Sequence, residues 1–170
     1  MISQSMQDAL NEQMRNEFYS AYLYLAMAAY FESEDLPGFA NFFRVQAMEE
    51  LTHADKFYRY ICEAGGRARM AAIEEPRNDY DSAVDVFRFA LEHERKVTAM
   101  INRLTDQAIA ESDHATRIFL QWFVTEQVEE EASFSAWLAK VRRVEGDGRG
   151  LLLLDREAGQ RTFTPPQSAV

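Results

Sequence analysis

Three features of the sequence predict an all-α fold: a four-helix bundle with one long crossover between its second and third helices and a short fifth helix at the C-terminus. First, four stretches repeat apolar residues in alternating steps of three and four, the spacing that lines up one face of an α-helix. Second, Pro37, Pro76, Pro165 and Pro166 all fall outside those periodic stretches. Third, the outer pairs of stretches are joined by a few residues each, while the middle connection is long.

The first stripe is Leu10, Met14, Glu17, Ala21, Tyr24, Ala28 and Phe31, on a helix expected over about 5–33. The second is Phe39, Phe43, Gln46, Glu50, His53, Phe57 and Tyr60. Its helix should start at Pro37, which suits a first turn, and stop before Gly65-Gly66, giving about 37–64. The third stripe is Tyr80, Val84, Phe87, Leu91, Glu94, Thr98 and Ile101, on a helix of about 82–110. The fourth is Leu120, Phe123, Gln127, Glu130, Phe134, Trp137 and Val141, within about 113–143.

Short connections make the first and second helices, and the third and fourth, antiparallel hairpins. The middle segment, 65–80, can stretch about 50 Å at ~3.3 Å per residue, against ~42 Å for a helix of this length. It can therefore run from one end of the bundle to the other, giving an up-down-down-up order. After Gly146, Gly148 and Gly150, the run Leu151-Leu152-Leu153-Leu154 predicts a short helix over about 147–157 and a flexible tail over 158–170. Four leucines are too few for a core of their own, so they should pack on the bundle or, as the preferred reading, on other subunits.

With 170 residues and 47% hydrophobic content the chain suits one domain, 1–170, with a substantial core. Cys62 is the only cysteine, which excludes internal disulfides and cysteine-based zinc or iron-sulfur sites and fits a reducing cytoplasm. The N-terminus has no basic stretch and apolar run of a secretion signal, so export is not expected. The uncharged run Phe18 to Phe31 falls short of the roughly 18 residues that suggest a membrane span. A net charge of -10 disfavours nucleic acid and can draw cations.

Each apolar stripe carries one glutamate near its midpoint: Glu17, Glu50, Glu94 and Glu130. In helices of matching length these meet at one height whichever way each helix runs. Buried carboxylates need a partner, and no lysine or arginine lies on these stripes. Glu50-x-x-His53 alone reads more often as a surface pair or a satisfied core histidine. Four coincident anomalies point instead to a pair of metal ions. Glu17, Glu50 and His53 would hold one; Glu94 and Glu130 the other, with Glu50 bridging and Gln127 as a weaker donor. Iron, manganese and zinc all suit such ligands. Glu49, Glu126 and Glu129 flank the site and form either a solvated acidic face or a third cation position. Tyr24 can hydrogen-bond a ligand, donate an electron or simply pack. Trp122 reads as structural, His114 as surface, and His93, turned about 100° from Glu94, as an outer or interface residue.

Over residues 1–157 the chain resembles non-haem bacterial ferritins. The family's ferroxidase pattern falls on Glu17, Glu50, His53, Glu94, Gln127 and Glu130, its third iron site on Glu49, Glu126, Glu129 and Glu130, and its nearby tyrosine on Tyr24. The resemblance implies iron as the metal and iron storage as the role. Fe2+ would be oxidised by oxygen or peroxide and the ferric mineral kept inside a cytoplasmic homo-oligomeric shell of 24 subunits, the fifth helix lying near its fourfold axes. Bacterioferritins and rubrerythrins carry a second Glu-x-x-His where this chain reads Gln127-Val128-Glu129-Glu130. Leu51 stands where bacterioferritins place a haem-binding methionine, so no haem is expected. The alternatives are a soluble di-iron oxidase or peroxidase that retains its metals and a non-catalytic helical scaffold.

Overall fold

In the computed structural model, residues 2–165 are described. They form α1 (Gln4–Ser33), α2 (Pro37–Glu63), α3 (Ala83–Ala110), α4 (His114–Arg143) and α5 (Gly148–Ala158), with no strand among the described residues. Each helix begins where a local signal puts it. Ser3, Ser82, Asp113 and Asp147 cap α1, α3, α4 and α5, their side chains accepting from the N–H of Met6, Asp85, Thr116 and Arg149. Helix α2 begins at Pro37, whose missing N–H would be unpaired in a first turn anyway. Gly65 turns the chain away after α2 with φ 80°. The tight α1–α2 and α3–α4 links instead place Asp35 and Ser112 in the left-handed region, at φ 56° each.

Cross-helix contacts give the chain directions. Helices α1 and α2 run antiparallel, from Ile2 beside Ala64 to Phe31 beside Phe39. Helices α3 and α4 are likewise antiparallel, joined at Glu111–Asp113 and touching at Thr98 and Glu131. Helix α2 opposes α4, from Tyr60 on Thr116 to Phe42 on Trp137. The order is thus up-down-down-up, as the loop length predicts. The crossover is tied to α1 at its start, where the N–H groups of Arg67 and Arg69 donate to Gln7 and Asn11 at 2.8 and 2.6 Å. At its far end Arg77 pairs with buried Asp85 at 2.5 Å.

Two apolar blocks fill the bundle. One is aromatic, built on Phe31, Phe39, Phe43, Phe87 and Phe134. The other, built on Met6, Leu10, Phe57, Ile101 and Phe123, occupies the opposite end. Each of α1 to α4 passes from one block to the other, and on each the mid-stripe glutamate falls at the crossing. A buried polar layer therefore separates the two blocks.

Helix α5 packs across the start of α2. Asp155 accepts from the N–H of Phe39 at 2.8 Å, and a Cβ on Gly38 would lie 1.7 Å from the Asp155 carbonyl oxygen, so only glycine allows this approach. The leucine run divides: Leu151 and Leu154 pack on the aromatic block, while Leu152 and Leu153 are 56% and 65% exposed. The expected flexible tail differs at its start. Ala158 is buried, and Asn41 donates to the Arg161 carbonyl at 2.9 Å, holding the segment on α2; residues 166–170 of that tail lie outside the described residues. Among the described residues no helix is long and apolar enough to cross a membrane.

Candidate metal centre

Glu17, Glu50, His53, Glu94, Gln127 and Glu130 all arrive in the polar layer and all are at least 94% buried. On the α1–α2 side, Glu17, Glu50 and His53 bring one ligand atom each to within 4.8 Å of one another. His53 Nδ1 stands 3.2 Å from Glu50 and 4.0 Å from Glu17, so this nitrogen faces the carboxylates. The helical step of three that aligns Glu50 with His53 is what makes them share a target.

On the α3–α4 side the carboxylates already hold neutral donors. The Tyr24 hydroxyl and the Gln127 amide donate to Glu94, the latter at 3.0 Å. Gln46 donates to Glu130 at 2.9 Å and to Glu50 at 3.3 Å, linking the two sides. Its own Oε1 is buried with no hydrogen-bond partner among the described residues. Gln13 holds Glu17 at 2.7 Å.

Burial, and then repulsion from neighbouring carboxylates, push Glu17, Glu50, Glu94 and Glu130 up to about 8. Burial and the adjacent Glu94 carboxylate also raise the Tyr24 hydroxyl well above its ordinary value. At neutral pH the metal-free layer thus keeps protons where a multivalent cation would replace them. An oxygen-rich donor set with one imidazole fits divalent iron, manganese or zinc.

A ferritin-like domain model matches residues 7–144. The chain is 42% identical over 163 residues to the bacterial non-heme ferritin of Staphylococcus aureus strain MRSA252, covering 96% of this chain and 98% of that one. The chain belongs to the ferritin family. Among solved structures, a closed form of the Archaeoglobus fulgidus ferritin engineered by site-directed mutagenesis superposes with a TM-score of 0.96 at 49% identity, covering 96% of this chain and all of the other. The open-pore ferritin of the same hyperthermophilic archaeon gives 0.94, also at 49% identity, covering 95% of this chain and 100% of that one.

The flanking acidic residues of this ferritin are less convergent. Glu126 approaches the far nitrogen of His53, Nε2, at 3.9 Å. Glu129 is exposed, and Glu49 is ion-paired with Arg161. Among the described residues only Glu17, Glu50 and His53 form a three-ligand group. Trp122 presents its ring to His53 at 5.3 Å and to the Lys56 ammonium at 4.3 Å, screening the imidazole from solvent. His114 is exposed as expected. His93, expected as an outer or interface residue, is half-buried between α1 and α3 and hydrogen-bonded to Ser20 at 2.8 Å, and burial drives its imidazole down to about 4.

Gln13 and Gln46 join the site although the stripe pattern assigns them no role. Each stands four residues before a site glutamate, one helical turn away on the same face, and that spacing was the available signal.

Proposed function

We propose that this ferritin stores iron in the cytoplasm, oxidising Fe2+ at a paired site within each subunit and holding the ferric product inside a homo-oligomeric shell of 24 subunits. The observation that carries this reading is the buried layer itself: four carboxyls from four helices, one imidazole, and no lysine or arginine beside them on the four stripes. Glu17, Glu50 and His53 bind the first Fe2+; Glu94 and Glu130, with Gln127, bind the second; Glu50 bridges the two. Each arriving ion displaces protons from carboxyls whose affinity for them is raised by burial. Holding two Fe2+ together lets them pass two electrons to one oxidant: O2 is reduced to peroxide, or hydrogen peroxide with two protons to two waters, and both irons become Fe3+. Tyr24, bonded to Glu94, orients that carboxylate and is placed to supply a further electron. Glu49, Glu126, Glu129 and Glu130 provide a third cation position on the way out of the bundle. The exposed Leu152 and Leu153 supply apolar surface for subunit contact.

The test is iron content after Fe2+ loading in air, with mass measured by light scattering on the same chromatographic peak. A large shell holding far more than roughly two ions per chain supports storage. A small oligomer holding only that pair favours an oxidase that retains its metals, and no bound iron favours a scaffold.

A further inference from the structure

The segment after α5 carries a cation to the edge of the centre. Its backbone is fixed on α2, where Asn41 donates to the carbonyls of Gly159 and Arg161 at 3.4 and 2.9 Å. Gly159 packs so near Gly38 that a Cβ on it would lie 3.3 Å from the Gly38 Cα. So held, the Arg161 guanidinium lies over the Phe42 ring at 4.4 Å and forms an ion pair with Glu49 through Nη2. Its other terminal nitrogen, Nη1, is buried with no hydrogen-bond partner among the described residues. Both side chains are about three-quarters covered, at 23% and 25% exposure, so the pair is not a loose surface contact.

A cationic group thus already sits on Glu49, next to the residue that begins the Glu50-x-x-His53 motif. Arg161 also acts favourably on the charge of Glu130, and Glu126 repels Glu49. A half-satisfied guanidinium is a poor end state for a buried charge, because its unpaired N–H group forfeits hydration without compensation. It is well suited to being displaced.

We infer that Arg161 is a resident competitor for the third cation position: its guanidinium neutralises Glu49, and a metal ion recruits that carboxylate only by displacing the C-terminal segment. Arg161 is then a positioning residue acting through Glu49. It biases incoming Fe2+ toward the paired site and lets the third position fill only when cation pressure is high. This rests on the paired-site reading above.

Zinc, which cannot be oxidised, separates binding from turnover. Calorimetric titration of the assembled protein with Zn2+ at low salt should give two tight ions per chain and a weaker third. Arg161→Ala should tighten the third by about tenfold, the size of effect expected from removing one close competing charge, with a smaller change at the ion that Glu130 helps hold and none at the first. Arg161→Lys, which keeps the charge without the planar fork, should fall between them. In a Glu49→Gln background, where the third ion is already weakened, Arg161→Ala should bring no gain over Glu49→Gln alone; a gain due only to loss of packing by the segment would persist there. An unchanged third ion in Arg161→Ala, or a gain that survives Glu49→Gln, overturns the inference. Absence of the first two ions in the unaltered protein fails the paired-site reading instead, and the effect of Arg161→Ala on the remaining ion still decides the role of Arg161.

Discussion

The two sides of the polar layer are built from the same kinds of residue and are prepared differently. On the α1–α2 side, Glu17, Glu50 and His53 already converge within 4.8 Å. On the α3–α4 side, Glu94 and Glu130 are held by Tyr24, Gln127 and Gln46, and no imidazole joins them. By the proposed assignment, a cation entering the first position displaces the Gln13 and Gln46 bonds but finds two carboxylates and an imidazole gathered, whereas one entering the second must replace the Tyr24, Gln127 and Gln46 bonds and meets no imidazole. Unequal affinity then follows from the imidazole on one side and from the donors around the ligands on both. Such inequality suits the proposed passage of iron through the site, since a product held weakly on one side can leave.

In the proposed assignment Glu50 serves both positions, so its loss should erase the contrast. Glu50→Ala is expected to lower the initial rate of Fe2+ oxidation by about a hundredfold or more, read by stopped-flow absorbance. Glu94→Ala should sharpen the contrast instead. The first ion remains, Zn2+ stoichiometry at the paired site falls from about two per chain to about one, and rapid oxidation slows by about tenfold or more. A Glu94→Ala protein that keeps both ions would overturn the assignment of the second position.

The pH dependence of the metal-free protein tests the burial that both sides share. The four glutamates are raised in the folded state from 4.5 to about 8, so between those values the folded chain binds more protons than the unfolded one. The stability they contribute is fully present below pH 4.5 and is lost as pH rises through about 8. Denaturant midpoints of metal-free protein should therefore fall from pH 5 to pH 8, and saturating Zn2+ should flatten or reverse the trend. A midpoint that rises with pH without metal would show that these carboxyls are ionised before metal arrives. The smallest effect is expected from Tyr24→Phe, which removes one donor to Glu94 and keeps the ring stacked on Phe134. It should change affinity for the second ion by about tenfold at most and leave the first unchanged.

Much of this was legible in the sequence because helical periodicity is a local property. Glu17 and Glu94 stood out as charges on apolar stripes, and both lie in the buried layer. Pro37 and the Gly65-Gly66 pair marked the limits of α2 to within a residue or so. His93 was harder to read. One residue from Glu94 it points away from the ligand side, yet the neighbouring α1 covers it with Ser20 and Tyr24, which no stripe on α3 can reveal. The same limit hid Gln46, whose spacing from Glu50 is visible but whose bond to Glu130, 84 residues away, is not.

The five helices, their directions and the height at which four carboxylates meet can be read from the chain alone, because each depends on spacing along one helix or on the reach of one loop. Tertiary structure decided which neutral donors hold each carboxylate, how far each side of the layer is preassembled, and that Arg161 comes back to Glu49 across 112 residues. Apart from the bonds that Gln13 and Gln46 make to a glutamate one turn on in their own helix, those are contacts between side chains on different elements. They follow from helix rotation and from the close approach of α5 at Gly38, neither of which leaves a periodic mark in the chain.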